Sequence, residues 1–222
     1  MARQLSFDWP PGIALAREDF FVAPANENAF AMIGDPGRWP LGKLALVGPE
    51  GAGKSHLARV FAADTGAEIL DATRLRPGPP PTRPTVIEDA DRLPEAAEEP
   101  LFHLHNNLAA SGLPLLLTAR TPPARWRIRL PDLASRMQAT TPVAIADPGD
   151  DLLRAVLMKH FADRQIAPSS ALIDWLVSRI ERSFAAAADI VARLDREALA
   201  QRRPLGRRLA ADLLDTDPPR GG

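Results

Sequence analysis

The segment from Gly48 to Ser55, Gly-Pro-Glu-Gly-Ala-Gly-Lys-Ser, constrains the fold more than any other part of the chain. It matches the pattern G-x-x-x-x-G-K-S/T, whose glycines let consecutive backbone N–H groups turn toward phosphate oxygens. A short apolar run, Leu44–Val47, precedes it, and residues 55–64 carry apolar side chains at helical spacing. The order strand, loop, helix predicts a phosphate-binding loop at a helix N-terminus, whose positive end favours anions.

The loop residues are the candidate ligands of a nucleotide. Lys54 would place a positive charge at the β- and γ-phosphates, and the Ser55 hydroxyl is a candidate ligand of Mg²⁺. The nucleotide-binding set predicted from the motif is Gly48, Pro49, Glu50, Gly51, Ala52, Gly53, Lys54 and Ser55.

A pair of acidic residues, Glu88 and Asp89, follows the apolar pair Val86-Ile87, which ends a predicted buried strand. A nucleoside triphosphatase needs an acidic residue at the tip of a neighbouring strand to hold the metal through water. We therefore predict Glu88 as the metal residue, together with Ser55, and Asp89 as the water-activating residue. The alternative is a solvated acidic loop.

Strands alternate with helices over the first two thirds of the chain. Helices are predicted over 26–33 and 94–108, a third apolar strand over 114–118, and an irregular connector over the proline-rich residues 76–84. This alternation predicts an α/β fold with a parallel sheet covered on both faces. Beyond residue 150 apolar side chains recur at helical spacing, which predicts a small all-α unit.

The composition is that of an ordinary soluble globular protein, with 45% hydrophobic residues and a net charge of −1. The balanced charge argues against a protein that coats polyanions. The absence of cysteine excludes disulfides, thiolate chemistry and cysteine zinc sites, and it suits a reducing compartment. No apolar run approaches the roughly 20 residues of a membrane helix, and the N-terminus is too short and polar for a signal peptide. We expect a cytoplasmic protein with no membrane partner.

Five short segments carry a more specific pattern. They are Asp19–Ala29, Gly53–Leu57, Phe102–Asn106, Leu116–Pro122 and Leu133–Arg136. The pattern resembles that of the AAA+ ATPases of the bacterial replication-initiator (DnaA) family, over roughly residues 17–215.

The resemblance implies a P-loop AAA+ base with a parallel sheet in three layers, and a small all-α lid domain. It implies ADP or ATP with Mg²⁺ as cofactors, with Phe21 and Val22 near the adenine and His56 continuing the phosphate loop. It also implies that Thr118 is the sensor 1 residue and that Arg136 is an arginine finger, acting on ATP held by a neighbouring subunit. On spacing alone, Arg136 would be a surface salt-bridge arginine.

The predicted domains are an extended tail over 1–18, the AAA+ base over 19–147, the helical lid over 148–215 and a disordered tail over 216–222. Initiators of this family carry a C-terminal helix-turn-helix domain that binds DNA. We expect this chain to lack that domain.

The N-terminal hexapeptide Gln-Leu-Ser-Phe-Asp-Trp resembles the short peptide that binds the DNA polymerase sliding clamp. An extended peptide stiffened by the following Pro10-Pro11 can place alternate apolar side chains in pockets while its glutamine fixes the register. The alternative is a hydrophobic tail that packs on its own domain. The predicted clamp-binding residues are Gln4, Leu5, Phe7 and Trp9.

Together these resemblances imply a negative regulator of replication initiation. Such a protein would hold ADP, dock on the sliding clamp, meet DNA only through the clamp, and promote hydrolysis of ATP held by the initiator DnaA. AAA+ subunits pack head to tail, which also permits a homodimer or a longer oligomer. The alternative is an autonomous AAA+ ATPase that acts as a helicase or a clamp loader or remodeller. A metabolic P-loop kinase is disfavoured, because no second substrate pocket is evident.

Two positions depart from the family pattern. Ala185 stands where the lid is expected to carry the sensor 2 arginine, with Arg182 one turn earlier as a substitute, and Glu88 replaces the usual aspartate. The departures leave open whether the protein hydrolyses its own nucleotide or only holds it.

The histidines and the lid arginines could have further functions, such as metal binding or DNA contact. A structural role is the simpler explanation for each. His103 and His105 are two apart on a predicted helix and face different directions, so we expect structural roles and no shared metal. His160 is expected in the core or at its edge. Seven arginines and three acidic residues lie between 182 and 208. We expect a solvated lid face there, with DNA contact as the alternative.

Overall fold

The structure is a computed structural model that describes residues 22–215. Val22, a predicted neighbour of the adenine, lies at the start of this range and is 51% exposed. The predicted site residues outside the described range are Gln4, Leu5, Phe7, Trp9 and Phe21.

The described chain divides into two compact units. The first, which we call the base, contains Ala29–Val47 and Lys54–Val143. The second, the lid unit, contains Ala23–Asn28, Gly48–Gly53 and residues 144–215. Six residues of the phosphate loop therefore group with the lid helices.

The sheet has five strands in the order β2-β3-β4-β1-β5. The pairs β2/β3, β3/β4 and β4/β1 are parallel, which confirms the predicted α/β fold with a parallel sheet. The strands are β1 (Lys43–Val47), β2 (Glu68–Asp71), β3 (Thr85–Glu88), β4 (Leu115–Ala119) and β5 (Thr141–Ala144). The helices along this part of the chain are α1 (Glu27–Ile33), α2 (Lys54–Thr65), α3 (Glu98–Ala110) and α4 (Pro131–Gln138).

The central strands are buried along their whole length, as parallel strands covered on both faces must be. Every residue of β1 and β4 is buried, and the register places Leu44 beside Leu116. Leu117 belongs to a core cluster with Leu101 of α3 and Leu133 of α4. This packing fixes α3 and α4 on the base.

Four helices form the rest of the lid unit, as their apolar spacing predicts. Their inward faces form one core that includes Leu157, Leu176 and Leu194. Ser169 and Ser183 cap α6 and α7, because each side chain accepts a hydrogen bond from a backbone N–H in the first turn. The helices are α5 (Asp150–Ala162), α6 (Ser170–Val177), α7 (Phe184–Gln201) and α8 (Arg207–Asp215).

Two strands, β2 and β5, and one helix, α4, were not predicted from the sequence. β2 and β5 lie at the two edges of the sheet, so most of their residues are exposed or half-buried and carry no apolar run. The helix predicted from residue 94 begins at Glu98, after a 3-10 turn over Glu95–Ala97. α4 begins with Pro131, which presets the first helical turn. Residues 76–84 contain neither helix nor strand, as predicted.

Among residues 22–215 no helix is long and apolar enough to cross a membrane.

Candidate functional site

The phosphate loop connects the carboxyl end of β1 to the first residue of α2, Lys54. Gly51 and Gly53 have φ values of 75° and 93°, a conformation that side chains other than glycine rarely adopt. At Gly48 an added Cβ would lie 2.5 Å from the carbonyl oxygen of Ile145. The loop therefore needs its glycines for conformation and for space, as a phosphate cradle does.

Lys54 and Ser55 occupy the first turn of α2, where free backbone N–H groups and the helix dipole attract anions. Lys54 is 8% exposed, whereas Ser55 is exposed. This combination of glycine backbone, lysine and helix N-terminus fits the phosphates of a nucleotide.

The start of α7 contacts the phosphate loop directly within the lid unit. The Phe184 N–H donates a 3.0 Å hydrogen bond to the Gly51 carbonyl oxygen. A Cβ added at Gly51 would lie 2.8 Å from the Cβ of Ser183 and 3.1 Å from that of Ala185. The small side chain at the expected sensor 2 position is thus part of a close contact between helix and loop.

Arg182, the proposed substitute for the sensor 2 arginine, is engaged elsewhere. Its guanidinium lies 2.8 Å from the carboxylate of Asp150, at the start of α5.

Glu88 and Asp89 stand at the carboxyl end of β3, as predicted from the apolar pair before them. Glu88 is half-buried, and its Oε1 is buried with no hydrogen-bond partner among the described residues. An orphaned carboxylate oxygen of this kind fits Mg²⁺ or a metal-bound water. No group of three or more His, Asp or Glu residues gathers as a metal site between residues 22 and 215, so other ligands would have to come from Ser55, phosphate and water.

The predicted catalytic carboxylate and the predicted sensor are linked. Asp89 has a left-handed backbone, with φ 53°, and its N–H donates a 3.2 Å hydrogen bond to the Thr118 hydroxyl. Its carboxylate lies 3.5 Å from the Arg92 guanidinium. This hydrogen bond joins the carboxyl ends of β3 and β4.

Asp91 is a residue of this region to which the sequence analysis gave no role. Its Oδ2 accepts hydrogen bonds from the backbone N–H of Arg120 at 2.9 Å and of Thr121 at 3.2 Å. Asp91 therefore anchors the segment after β4. The sequence signal that could have identified Asp91 is its position two residues after Asp89, in a cluster of acidic residues.

Arg136, the predicted arginine finger, is on α4 and half-buried. Its guanidinium carbon lies 5.0 Å from the centre of the Phe102 ring on α3, a cation–π distance. Its Nε is buried with no hydrogen-bond partner among residues 22–215. Among the described residues, Arg136 therefore does not form the surface salt bridge that spacing alone suggested.

A buried carboxylate fixes the chain just before α4. Glu98, 5% exposed, accepts hydrogen bonds from the backbone N–H of Arg129 at 3.0 Å and of Leu130 at 2.8 Å. Because Leu130 immediately precedes α4, Glu98 sets where the helix that carries Arg136 begins.

The positions of the histidines fit structural roles. His103 is exposed and lies 3.7 Å from Glu99, while His105 is buried, so the two do not face one site. His160 is half-buried, and burial lowers its pKa, with a smaller lowering from the Arg164 charge.

Several lid arginines are paired inside the lid unit. Arg203 lies 3.0 Å from Asp212, and Arg193 lies 3.7 Å from Asp189. These pairs fit the predicted solvated face.

Comparison with known proteins shows what this chain is similar to. No family model matches the chain. It is 23% identical over 230 residues to chromosomal replication initiator protein DnaA 2 of Chlamydia caviae, in a match that covers 90% of this chain and 48% of the relative. The chain thus spans about half the length of the curated relative it matches.

Solved structures give the same family of folds. Domain III of the Thermotoga maritima initiator DnaA superposes with a TM-score of 0.78 at 17% identity, covering 93% of this chain and 98% of that one. DnaA of Aquifex aeolicus bound to AMPPCP gives 0.68 at 16% identity, covering 87% and 70%. The T. maritima RuvB Holliday junction branch migration motor gives 0.68 at 16% identity, covering 90% and 71%. The chain therefore has the AAA+ fold of the initiator's domain III, with weak sequence similarity to DnaA.

Proposed function

We propose that this protein is a nucleotide-binding AAA+ regulator that promotes hydrolysis of ATP held by the replication initiator DnaA. Such a protein would resemble Hda, the regulatory inactivator of DnaA. The observation that carries the proposal is Arg136, a half-buried arginine stacked on Phe102 and without a carboxylate partner among the described residues. An arginine free of internal ion pairs is available to the phosphates of another molecule.

The protein's own nucleotide, ADP or ATP, would be held by the loop from Gly48 to Ser55. Lys54 and the α2 N-terminus would bind the phosphates, and Ser55 with Glu88 would hold Mg²⁺. The bound Mg²⁺ would neutralise part of the phosphate charge. The AMPPCP bound to the Aquifex aeolicus initiator supports an adenine nucleotide in this fold.

Two features of the site support weak turnover of this nucleotide. The Asp89 carboxylate lies beside Arg92, so the arginine competes with a water molecule for it. Ala185, at the expected sensor 2 position, brings no charge to the phosphates. We expect the protein to hold ADP and to act on a neighbour.

Action on the neighbour requires Arg136 to reach the γ-phosphate of ATP bound by DnaA. There its positive charge would stabilise the charge that develops as the phosphoryl group leaves. The two proteins would pack head to tail. The same surfaces would permit a homodimer or a head-to-tail oligomer.

Docking on the sliding clamp through Gln4, Leu5, Phe7 and Trp9 would bring the regulator to replicating DNA. DNA contact would then be indirect, through the clamp. The pairing of Arg193 and Arg203 with lid carboxylates supports a lid that leaves DNA to the clamp.

The second candidate is an autonomous AAA+ ATPase that acts as a helicase or as a clamp loader or remodeller. The likeness to the RuvB branch migration motor favours it, as does the presence of Asp89 at the end of β3. This candidate predicts turnover by the isolated protein, stimulated by DNA and abolished by Asp89→Asn.

The test is single-turnover hydrolysis of radiolabelled ATP bound to DnaA, with ADP-loaded protein added in the presence or absence of clamp loaded on DNA. We expect hydrolysis to accelerate with the loaded clamp, and Gln4→Ala and Leu5→Ala to remove the acceleration. Unchanged hydrolysis, together with DNA-stimulated turnover by the isolated protein, would establish the remodeller instead.

A further inference from the structure

The Phe102 ring on α3 lies against the guanidinium of Arg136 on α4, and both side chains are half-buried. The guanidinium carbon lies 5.0 Å from the ring centre, where the negative face of an aromatic ring attracts a cation. The Arg136 Nε is buried, and no residue between 22 and 215 accepts a hydrogen bond from it, although buried polar groups normally find a partner. The ring is therefore the contact that compensates part of this buried charge.

One face of α3 holds α4 at two places. Glu98 and Phe102 are four residues apart on α3, a spacing that puts two side chains on the same face of a helix. Glu98 accepts hydrogen bonds from the backbone N–H groups of Arg129 and Leu130, just before α4 begins. Phe102 meets Arg136 in the last turn of α4. The same helix face thus fixes where α4 begins and contacts the charged side chain near its end.

The backbone at Arg136 is fixed by the surrounding structure. Leu133 and Met137, on either side of it in α4, are buried in the core of the base. Thr140 is 3% exposed, and its hydroxyl donates a 3.1 Å hydrogen bond to the Arg136 carbonyl oxygen. Carbonyl groups in the last turn of a helix have no partner within the helix, so Thr140 supplies one. The freedom that remains to Arg136 is in its side chain, which Phe102 contacts.

An aromatic ring and a carboxylate hold an arginine in different ways. A carboxylate neutralises the guanidinium and has to be displaced before the arginine can bind another anion. A ring attracts the guanidinium through its quadrupole and carries no net charge, so the positive charge remains available. This attraction shifts the equilibrium between two side-chain orientations by a factor of about 3 to 30. It can therefore favour one orientation without trapping the side chain.

We infer that Phe102 is a positioning residue for Arg136, which holds the guanidinium in one orientation without neutralising it. The inference rests on the proposed function, because the orientation of Arg136 has its effect in the hydrolysis of DnaA-bound ATP. With the α4 backbone fixed and the side chain held by the ring, the protein meets DnaA with an arginine that needs little reordering. The ring thus acts on the rate of hydrolysis within the complex and not on the affinity of the two proteins.

Fluorinated phenylalanines at position 102 of the full-length protein test the inference without altering the packing. Each fluorine withdraws electrons from the ring face and weakens its attraction for a cation, while the ring keeps nearly the same size. We expect the maximal rate of hydrolysis of DnaA-bound ATP to fall stepwise from one to three fluorines, by about 5- to 30-fold in all. The protein concentration that gives half of the maximal rate should stay within about 2-fold.

Two results of this series would overturn the inference. Equal maximal rates for all the fluorinated rings would mean that Phe102 only fills space. A change confined to the concentration for half of the maximal rate would mean that the ring belongs to the docking surface.

Ordinary substitutions extend the test. Phe102→Tyr keeps the ring and should retain the rate within about 3-fold, whereas Phe102→Leu keeps only the apolar bulk and should slow hydrolysis at least about 10-fold. Trp175→Leu is the matched control, because the Arg179 guanidinium carbon lies 4.6 Å from the centre of the Trp175 ring in the lid unit. It should stimulate hydrolysis like the wild type. A defect as large as that of Phe102→Leu would show that losing any such pair harms the protein, and would reject a special role for Phe102.

A measurement without DnaA separates this inference from the proposed function. The Nε–H resonance of Arg136 is recorded by NMR in the ADP-bound protein and assigned by its disappearance in Arg136→Lys. We expect a shift from the Phe102 ring current and slow exchange with water. Phe102→Leu should abolish the shift and speed the exchange at least about 10-fold.

The NMR result has a different meaning for each proposal. A resonance that is the same in wild type and Phe102→Leu would reject the positioning role. A resonance that responds to Phe102→Leu, with hydrolysis of DnaA-bound ATP unaffected by the wild-type protein, would keep the held arginine and reject DnaA as the molecule on which it acts.

Discussion

The two ends of the sheet in the base carry opposite charge and are built differently. At the carboxyl end, Asp89 and Asp91 are joined to neighbouring segments by hydrogen bonds, such as the one from the Asp89 N–H to the Thr118 hydroxyl. At the amino end, Lys43 and Arg136 have no carboxylate among the described residues. The first end is assembled to work within its own chain. In the proposed function, Arg136 at the second end acts on the phosphates of another molecule.

This difference fits head-to-tail packing, in which the two surfaces of an interface are different and complementary. A nucleotide bound beside the acidic end of one subunit would bring its phosphates to the basic end of the next. Variants that alter one end at a time separate the two roles.

The largest effect expected at the acidic end is on the protein's own nucleotide. Gly51→Ala should weaken ADP binding at least about 100-fold, because the Cβ would meet Ser183 at 2.8 Å and φ is 75°. Fluorescent ADP titration measures it. Gly66→Ala is the matched control, with φ 71° and nothing within 4 Å of the added Cβ. ADP affinity lost equally in both variants would mean that backbone strain alone is responsible.

At the basic end, the position of the chain just before α4 should depend on Glu98. Glu98→Ala removes the acceptor of the Arg129 and Leu130 N–H groups, and we expect the free energy of unfolding to fall by about 2–3 kcal/mol. Urea denaturation measures this. Glu98→Gln keeps an acceptor of the same shape and should cost less. If Glu98→Ala is neutral, Glu98 does not determine where α4 begins.

Acid should destabilise the fold through the basic end. The pKa of His105 is lowered from 6.5 to about 4, so folding favours the neutral imidazole. Its contribution is complete above pH 6.5 and is lost as the pH falls from 6.5 to 4, by roughly 3 kcal/mol in all. His105→Gln should flatten this part of the profile, measured by urea denaturation at several pH values. A profile as steep as that of the wild type would contradict the assignment.

The smallest expected effect concerns the turn before Lys43. Leu41 has φ 54° and is 75% exposed, so its side chain gains little from burial and strains the backbone. Leu41→Gly should relieve the strain and raise the free energy of unfolding by up to about 1 kcal/mol. Thermal denaturation measures this change in stability. Gln165→Gly, in the lid unit, is the comparison variant, because Gln165 has a similar φ of 59°. A loss of stability at Leu41 would show that its side chain makes a contact worth more than the strain.

The sequence predicted the parts of this molecule that have a local signature. The phosphate loop needs glycines at fixed spacing, and the buried strands β1, β3 and β4 need continuous apolar runs, so both could be identified. β2 and β5 could not, because edge strands are exposed and Pro142 in β5 opposes a strand prediction.

Long-range contacts account for the rest. Glu98 and Leu130 are 32 residues apart, and Asp91 and Thr121 are 30 apart, so no local pattern marks their hydrogen bonds. The packing of α3 and α4 against β1 in the core of the base is likewise not encoded at any fixed spacing in the sequence.

The measurement that tests the account most directly is made on one variant, Arg136→Ala, with two assays on the same preparation. ADP affinity measures the function of the acidic end, and single-turnover hydrolysis of DnaA-bound ATP measures the function of the basic end. We predict unchanged ADP affinity and hydrolysis slowed by roughly 1,000-fold or more, the effect of losing an arginine finger. Hydrolysis at the wild-type rate, or ADP affinity lost in parallel with it, would contradict the separate roles of the two ends.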